Sequence, residues 1–299
     1  MMTGWENLKR KQNGIRLFLA VSVVVSIVIL YLFFKGAKSM GNPMLIFFGI
    51  FLCIVPWVLF YQKRKLYRNE YKEFVVNRAA QGMFDNYLYS PKAGFDSGEI
   101  RATGIMMLGN RYHSEDMVEG VYKGVNFRRA DMYIAQHVQS GKSSYTIVYL
   151  RGSWLTFTYN KRFISDLQIR TKGFRYAFKK TSRLFTREAD RRHSFETENV
   201  AFNNEFECTC QEDTEAFYLL TPHVMQMLML LKCEFGCEFM VGFVNNQLHF
   251  ALNSGKNHME PPTIKSINPD YEIEVTRREL KVITNIVDSL AIDRKLFVE

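Results

Sequence analysis

Two uninterrupted apolar runs near the N terminus constrain the fold more than any other feature of the sequence. One extends from Leu17 to Phe34 and the other from Met44 to Tyr61, and neither contains a charged residue. At about 1.5 Å of rise per residue, a helix of either length nearly crosses a hydrocarbon core about 30 Å thick. We therefore expect a hairpin of two transmembrane helices, with spans at about residues 17–34 and 44–61.

The composition of the first run favours insertion into lipid. Fourteen of its 18 residues are Leu, Ile, Val or Phe, and its polar side chains are those of Ser22, Ser26 and Tyr31. At roughly −0.3 to −0.6 kcal/mol each, the apolar side chains contribute about −4 to −8 kcal/mol to insertion. A cleaved signal peptide is the alternative, but this run is too long for one, and no small-residue cleavage site follows it before the second run.

The charges beside the two runs predict their orientation. Basic residues concentrate before the first run and after the second, and the predicted nine-residue loop at 35–43 holds only two of them. These residues are Lys9, Arg10, Lys11 and Arg16, then Lys63, Arg64, Lys65 and Arg68, with Lys35 and Lys38 in the loop. Because Lys and Arg accumulate on the cytoplasmic side, both termini are expected in the cytoplasm.

The remainder of the chain predicts a helical stalk at residues 62–83 and a cytosolic α+β domain with mainly antiparallel strands at residues 84–299. Thr221 and Pro222 have the form of an N-cap and a first helical residue. The helix that they open, to about Lys232, is apolar almost all round and is expected at the buried centre of the domain. A turn or bulge is expected at Arg151-Gly-Ser153 within a β-rich run.

Two further elements follow from local patterning. Asn245 and Asn246 separate two β-rich segments and predict a hairpin. The final helix has an apolar stripe of Leu280, Ile283, Val287 and Leu290.

The order of several motifs resembles the bacterial membrane proteins of domain of unknown function family 3137. The motifs are the pair of apolar runs, Tyr112-His-Ser-Glu-Asp116 leading into Gly120-Val-Tyr-Lys-Gly124, Arg151-Gly-Ser followed by Phe157 to Lys161, Phe202-Asn-Asn-Glu-Phe206, Glu215-Ala216 and Leu220-Thr-Pro-His-Val-Met225. The resemblance covers nearly the whole chain. It implies a bacterial membrane location and an unassigned activity.

Two motifs resemble ligand sites, and in both a structural interpretation is favoured. Gly141-Lys-Ser143 resembles the end of a phosphate-binding loop, but a hairpin turn explains it better because Gln136 stands where that loop needs Gly. The second motif comprises the four cysteines outside the apolar runs, namely Cys208, Cys210, Cys233 and Cys237. Their spacings differ from the usual Cys-x-x-Cys knuckle, so zinc is the runner-up and buried thiols are preferred. No metal and no cofactor is predicted.

A polar cluster and a basic stretch are the remaining candidate sites. His113, Glu115 and Asp116 could form an acid-base or metal site, although solvation or turn capping is favoured for a single local cluster. The stretch from Lys161 to Arg192 holds eleven Lys or Arg residues and three acidic ones. Near an anionic leaflet each basic residue that reaches the headgroups contributes about 1 kcal/mol, so contact with lipid headgroups is the preferred interpretation, and an ordinary solvated loop is the alternative. The residues selected for this contact are Lys172, Arg175, Lys179, Lys180 and Arg183.

Charge and motifs leave three classes of function. The net charge of +9 divides into +5 for residues 1–61 and +4 for the rest, which is too balanced for a dedicated nucleic-acid binder. A membrane-anchored binding or regulatory module with an unknown protein partner is preferred, since no catalytic motif is present. An inner-leaflet enzyme acting on a lipid or a phosphorylated substrate is the alternative. A transporter ranks last because neither apolar run contains a charge.

Overall fold

The computed structural model describes residues 4–141, 143–159, 167–174, 192–262 and 265–290. The chain forms two compact units. The first, called the hairpin unit here, comprises residues 1–78 and 260–275, and the second, the sheet unit, comprises residues 79–259 and 276–299.

The hairpin unit contains two helices of equal length, α1 (Gly4–Met40) and α2 (Met44–Ala80). The last two residues of α2 belong to the sheet unit. Each helix has 37 residues and is therefore about 55 Å long, which exceeds the thickness of a bilayer core. The predicted nine-residue loop is wrong, because α1 continues to Met40 and only residues 41–43 connect the helices. The helix stops where Gly41 adopts a left-handed φ of 64°.

Close contacts hold α1 against α2. A Cβ added to Gly49 would lie 2.8 Å from the Cβ of Phe33, so the small residue allows the two helices to approach. Toward the other end of the pair, Trp5 and Phe74 meet edge to face with ring centroids 5.0 Å apart. The N-terminal end of α1 therefore packs beside the C-terminal part of α2.

Residues 260–275 belong with this pair of helices, whereas the predicted division placed them in the C-terminal domain. Gln12 Nε2 donates to the carbonyl oxygens of Pro262 and Lys265, both at 2.8 Å. The buried Lys72 ammonium lies 2.7 Å from Glu260 Oε1. A buried cluster completes the packing and comprises Leu8, Ile15, Phe60, Tyr67, Tyr71, Val75 and Ile267.

The sheet unit is built on one nine-stranded antiparallel sheet with the order β1-β2-β3-β4-β9-β8-β5-β7-β6. The strands are β1 Asn86–Ser90, β2 Arg111–Tyr122, β3 Val125–Ser140, β4 Ser143–Thr158, β5 Leu167–Thr171, β6 His193–Phe195, β7 Phe206–Cys210, β8 Glu238–Val244 and β9 Gln247–Asn253. The predicted α+β class is confirmed. Gly141 lies in the tight turn between β3 and β4, where Ser140 pairs with Ser143, so the hairpin interpretation of that motif is also confirmed.

The described residues form five more helices. They are α3 Ser97–Ala102, α4 Val200–Glu205, α5 Asp213–Leu219, α6 Pro222–Phe235 and α7 Pro269–Leu290. The Thr221 side chain accepts from the Val224 N–H and caps α6 as predicted. The expected burial of α6 on all sides is wrong, because Leu230 is 54% exposed and only one face packs inward. The stripe predicted on α7 is buried.

Strand β4 runs through the segment where a turn was expected. The register irregularity lies at Tyr149 instead, between the pairs Ile134–Leu150 and Ala135–Val148. Gly152 lies within the strand, and the backbone of β9 comes very close to it. A Cβ at this position would lie 2.1 Å from the carbonyl oxygen of Leu252, so only glycine fits. The glycine thus serves a close approach of β4 and β9, and the predicted turn at this position is wrong.

Candidate functional site

A row of buried polar side chains lies on one face of the sheet. Arg129 and Asp131 are two residues apart on β3, so they project to the same side, and each is 2% exposed. Asp131 pairs across the ladder with Ser153 of β4. Arg129 Nη2 lies 2.6 Å from Asp131 Oδ1 and donates to Ser153 Oγ at 2.7 Å. This buried ion pair therefore has additional hydrogen-bond partners, which a desolvated charge requires.

Residues 254–259, which follow β9, approach the same ion pair. The His258 N–H donates to Asp131 Oδ2 at 2.7 Å, so both carboxylate oxygens of Asp131 have partners. Met259 adopts a left-handed φ of 59° and places its sulfur 3.8 Å from Arg129 Nη1. Ser254 Oγ lies 2.8 Å from His258 Nε2. The segment is thus fixed to the sheet by polar contacts.

Helix α7 contributes a carboxylate to this network. Glu279 Oε1 lies 2.9 Å from His258 Nδ1. Burial by itself would raise the pKa of Glu279, but contact with His258 and the positive charge of Arg129 outweigh it and lower that pKa. Glu279 is therefore an anion at neutral pH.

The polar row and α7 enclose a cavity of about 360 Å³, called the α7 pocket here. A volume of this size is typical of small-molecule sites. Its lining is Arg129, Ser153, Leu155, Glu234, Phe235, Cys237, Leu252, Ser254, His258, Arg278, Glu279, Lys281, Val282 and Asn285. Arg278 and Lys281 are exposed, while Arg129 is buried. The α7 pocket can therefore offer both an apolar wall and positive charge to a ligand.

The predicted cluster of His113, Glu115 and Asp116 is only partly brought together. His113 Nε2 lies 3.6 Å from Glu115 Oε2, and both residues line a second cavity of about 340 Å³ with Arg151 and Lys256. We call this cavity the His113 cleft. The His113 side chain is 66% exposed and that of Glu115 is 15% exposed.

Asp116 is more deeply buried than the other two residues, and β2 contains a bulge at this point. The register shifts between Glu115 and Val118, and Asp116 adopts a φ of 61°. Its fully buried carboxylate accepts from the Tyr89 hydroxyl at 2.7 Å. Burial, followed by the charge of Asp116, raises the pKa of Tyr89, so this hydroxyl remains a donor. A single extra residue in the strand thus directs Asp116 toward Tyr89, although a carboxylate oxygen of Glu115 still lies within 4.8 Å of one of Asp116.

The predicted membrane-surface residues fall mostly beyond the described part of the chain. Lys172 directly follows β5 and is exposed. Arg175, Lys179, Lys180 and Arg183 lie outside the described residues.

The four cysteines of the runner-up zinc site are free thiols. Cys208 and Cys210 are buried on the same face of β7, as strand alternation predicts. Among the residues that the structure describes, Cys208, Cys233 and Cys237 join no group of three ligand atoms within 4.8 Å. Cys210 is close to His193 and Asp213 instead.

Sequence reasoning missed the Arg129–Asp131 pair. The available signal was two opposite charges at alternate positions of a segment that is otherwise rich in apolar residues, which in a strand places both on one face. That pattern cannot tell a buried face from an exposed one. The partners Ser153, His258 and Glu279 are distant in the sequence and carry no local signal.

The chain thus combines two helices that are long and apolar enough to cross a membrane with an antiparallel α+β unit. Residues 148–292 match the family described as protein of unknown function (DUF3137). The predicted resemblance is confirmed over these residues.

Two further comparisons add no functional information. No curated protein matches the sequence significantly. A solved structure, described as the mycobacterial trehalose monomycolate transport factor A, TtfA, aligns over 75% of this chain and 97% of its own, with 11% identity and a TM-score of 0.37. That superposition is too loose to carry an inference about this protein.

Proposed function

We propose that this protein is a membrane-anchored binding module whose sheet unit holds a small anionic amphiphile in the α7 pocket. The anchor is the pair α1 and α2, both of which are long and apolar enough to cross a membrane. Only 6% and 11% of their most apolar 18-residue windows are buried, unlike the core helices of soluble proteins. We place the anchor in the bacterial cytoplasmic membrane with both termini in the cytoplasm, on the argument from the flanking basic residues.

The composition of the α7 pocket carries the proposal for the ligand. Leu155, Leu252 and Val282 supply apolar surface, and the exposed Arg278 and Lys281 supply positive charge. An apolar chain with one anionic group satisfies both features. The Asp131 carboxylate is paired with Arg129, and that of Glu279 lies 2.9 Å from His258 Nδ1.

Binding of decanoate to the full-length protein in zwitterionic nanodiscs tests this proposal. Each exposed charge contributes up to about 1 kcal/mol to the binding free energy. The double variant Arg278→Glu with Lys281→Glu, which reverses both charges, is therefore expected to weaken decanoate binding roughly tenfold. The matched control is Lys92→Glu, an exposed lysine outside this pocket. Decanol, which lacks the charge, is expected to bind equally to all variants. Decanoate binding that is unaffected by the double reversal contradicts the proposal.

Contact between the basic stretch at residues 161–192 and an anionic leaflet is a separate part of the proposal. Its support is the charge pattern of the sequence and the tether that the apolar helices provide. In nanodiscs with anionic lipid, chymotrypsin is expected to cleave this stretch more slowly than in zwitterionic discs, and high salt is expected to remove the protection. Neutralising Lys172, Arg175, Lys179, Lys180 and Arg183 should abolish it, whereas neutralising Lys92, Arg101 and Arg111 should not. Equal cleavage in both lipids contradicts the contact.

An inner-leaflet enzyme is the second candidate, and the His113 cleft is the observation that favours it. The cleft combines a titratable pair with the cationic Arg151 and Lys256, which suits a phosphorylated substrate. Inorganic phosphate is the probe for this candidate. Binding that is lost in Arg151→Gln but retained in Lys92→Gln supports it, and a failure to bind phosphate at millimolar concentrations contradicts it.

A further inference from the structure

Three potential metal ligands meet at one edge of the sheet, away from both cavities. His193 of the edge strand β6 pairs directly with Cys210 of β7, so the two side chains project to the same side. Asp213 is the first residue of α5 and follows Cys210 by three positions. Its Oδ1 lies 2.7 Å from His193 Nε2 and 3.3 Å from Cys210 Sγ, and all three ligand atoms fall within 4.8 Å of one another.

The three ligand types suit zinc, which takes imidazole nitrogen, thiolate sulfur and carboxylate oxygen in protein sites. With metal-ligand distances of about 2.0 to 2.3 Å, tetrahedral geometry separates the ligand atoms by about 3.3 to 3.6 Å. The contact between Cys210 and Asp213 already has this length. The contact between His193 and Asp213 must lengthen by about half an ångström, which side-chain rotation can supply because both side chains are about half exposed.

We propose that His193, Cys210 and Asp213 bind one zinc-type divalent cation, with a fourth coordination position open to solvent. The site differs from the four-cysteine arrangement considered from the sequence, and it shares only Cys210 with it. Two of the ligands are close in sequence, because Cys210 ends β7 and Asp213 begins α5. The third ligand, His193, is brought beside Cys210 by the pairing of β6 with β7.

Metal binding must remove the thiol proton of Cys210. Burial, assisted by the hydrogen bond to Asp213, raises the pKa of Cys210 to about 12, so the thiol is protonated without metal. The cation replaces that proton, which leaves to solvent, and the affinity is therefore expected to rise with pH.

A bound cation would connect three elements that meet only at this edge. β6 has three residues and pairs with β7 alone among the described strands. Linking His193 to β7 and to α5 would fix the edge strand immediately after the basic stretch at residues 161–192.

Titration of the metal-free full-length protein in detergent tests the site. Zn²⁺ is measured by competition with a chromophoric chelator, and Co²⁺ is used to detect a thiolate-to-metal charge-transfer band. One equivalent is expected to bind, and Cys210→Ser, His193→Gln and Asp213→Asn are each expected to weaken binding at least roughly tenfold. Both controls, Cys208→Ser and Cys233→Ser, are expected to leave the affinity and the Co²⁺ band unchanged.

The design distinguishes a bound metal from an ordinary hydrogen-bonded cluster. Absence of stoichiometric Zn²⁺ binding, a Co²⁺ complex without the thiolate band, or loss of binding in Cys233→Ser would overturn the proposal. Cys210 is buried, so its replacement could impair folding. Asp213→Asn changes a side chain that is 54% exposed, and retained affinity in this variant, with an unchanged circular dichroism spectrum, would also overturn the proposal.

Discussion

At the scale of single residues, the buried charges of the sheet unit have specific partners. Arg129 and Asp131 are removed from water and compensate each other, and Ser153 and His258 add one hydrogen bond to each of them. Desolvation of such a pair is expensive, so its net contribution to stability is small while both partners are present. Loss of one partner is much more destabilising than loss of both, because a lone buried charge has no compensation.

Removal of one member of this pair is expected to destabilise the protein strongly. Asp131→Ala leaves the Arg129 charge and the His258 N–H without their carboxylate, and should lower the free energy of unfolding by about 3 to 5 kcal/mol. The double variant Arg129→Met with Asp131→Leu should recover most of that loss. Chemical unfolding of the full-length protein in detergent measures both. The exposed Glu119→Ala is the control, expected within about 0.5 kcal/mol of the parent. Equal effects of Asp131→Ala and this control would contradict the argument.

A buried histidine predicts how stability depends on pH. His249 of β9 is 2% exposed, and its Nδ1 accepts from Trp154 Nε1 at 3.3 Å. Burial, with a smaller contribution from Arg128, lowers the pKa of His249 from 6.5 to about 4. The unfolded chain therefore binds more protons than the folded one between these values, and stability rises with pH in that window.

Lowering the pH from about 7 to about 5 is expected to cost about 2 kcal/mol of unfolding free energy through His249. Replacement by His249→Gln retains an acceptor for Trp154 and removes the titrating group, so the same pH change should cost much less. Denaturant unfolding at the two pH values measures the difference. An unchanged pH dependence in this variant would refute the assignment.

At the scale of elements, the contacts between strands decide which local signals matter. A glycine inside a β-rich run predicts a turn or a bulge from sequence alone. Gly152 instead lies in an unbroken β4, where it allows the carbonyl oxygen of Leu252 on β9 to approach. β4 is therefore longer than its sequence pattern indicated. The glycine is required by the close approach of β9 and does not mark the end of the strand.

A methyl group at position 152 is expected to separate β4 from β9. Gly152→Ala places a Cβ 2.1 Å from the carbonyl oxygen of Leu252. This oxygen belongs to the backbone and cannot move aside as a flexible side chain would, so about 1 to 3 kcal/mol of stability should be lost. Gly14→Ala is the matched control, since a Cβ there meets nothing within 4 Å. Unfolding free energies of the two variants test the idea, and a neutral Gly152→Ala would count against it.

At the scale of the whole molecule, two units with different surfaces share one chain. The hairpin unit exposes Val24, Phe48 and many similar side chains along its helices, whereas the sheet unit buries Trp154, Phe157 and Phe250 in its interior. Exposed apolar surface on this scale is stable in lipid and unfavourable in water. The hairpin unit is therefore the part of the protein suited to a membrane.

Cysteine labelling is expected to establish the orientation that we propose. Ser39→Cys, at the end of α1 near the short connection, should react with a membrane-impermeant maleimide in intact spheroplasts when Cys233 is replaced by Ser. The native Cys233, which is exposed in the sheet unit, should react only after lysis. Labelling of Cys233 in intact spheroplasts would reverse the assigned topology.

Several features could be predicted from sequence because their physical cause is local. The caps and stripes of α6 and α7 depend on residues within a few turns, and the hairpin at Asn245 depends on two adjacent residues. The burial of α6 could not be predicted in the same way. Its apolar residues surround the helix, but only one face is buried and Leu230 remains exposed.

The sequence by itself determined the two apolar helices, the antiparallel α+β class and the family resemblance, since each depends on patterns within short windows or on motif order. Only the tertiary structure decided which polar residues form a site and which segment belongs to which unit. His258 meets Asp131 across 127 positions, and Gln12 meets Pro262 across 250 positions. Such contacts form because folding brings distant groups into one desolvated place, and no local pattern records which groups will meet there.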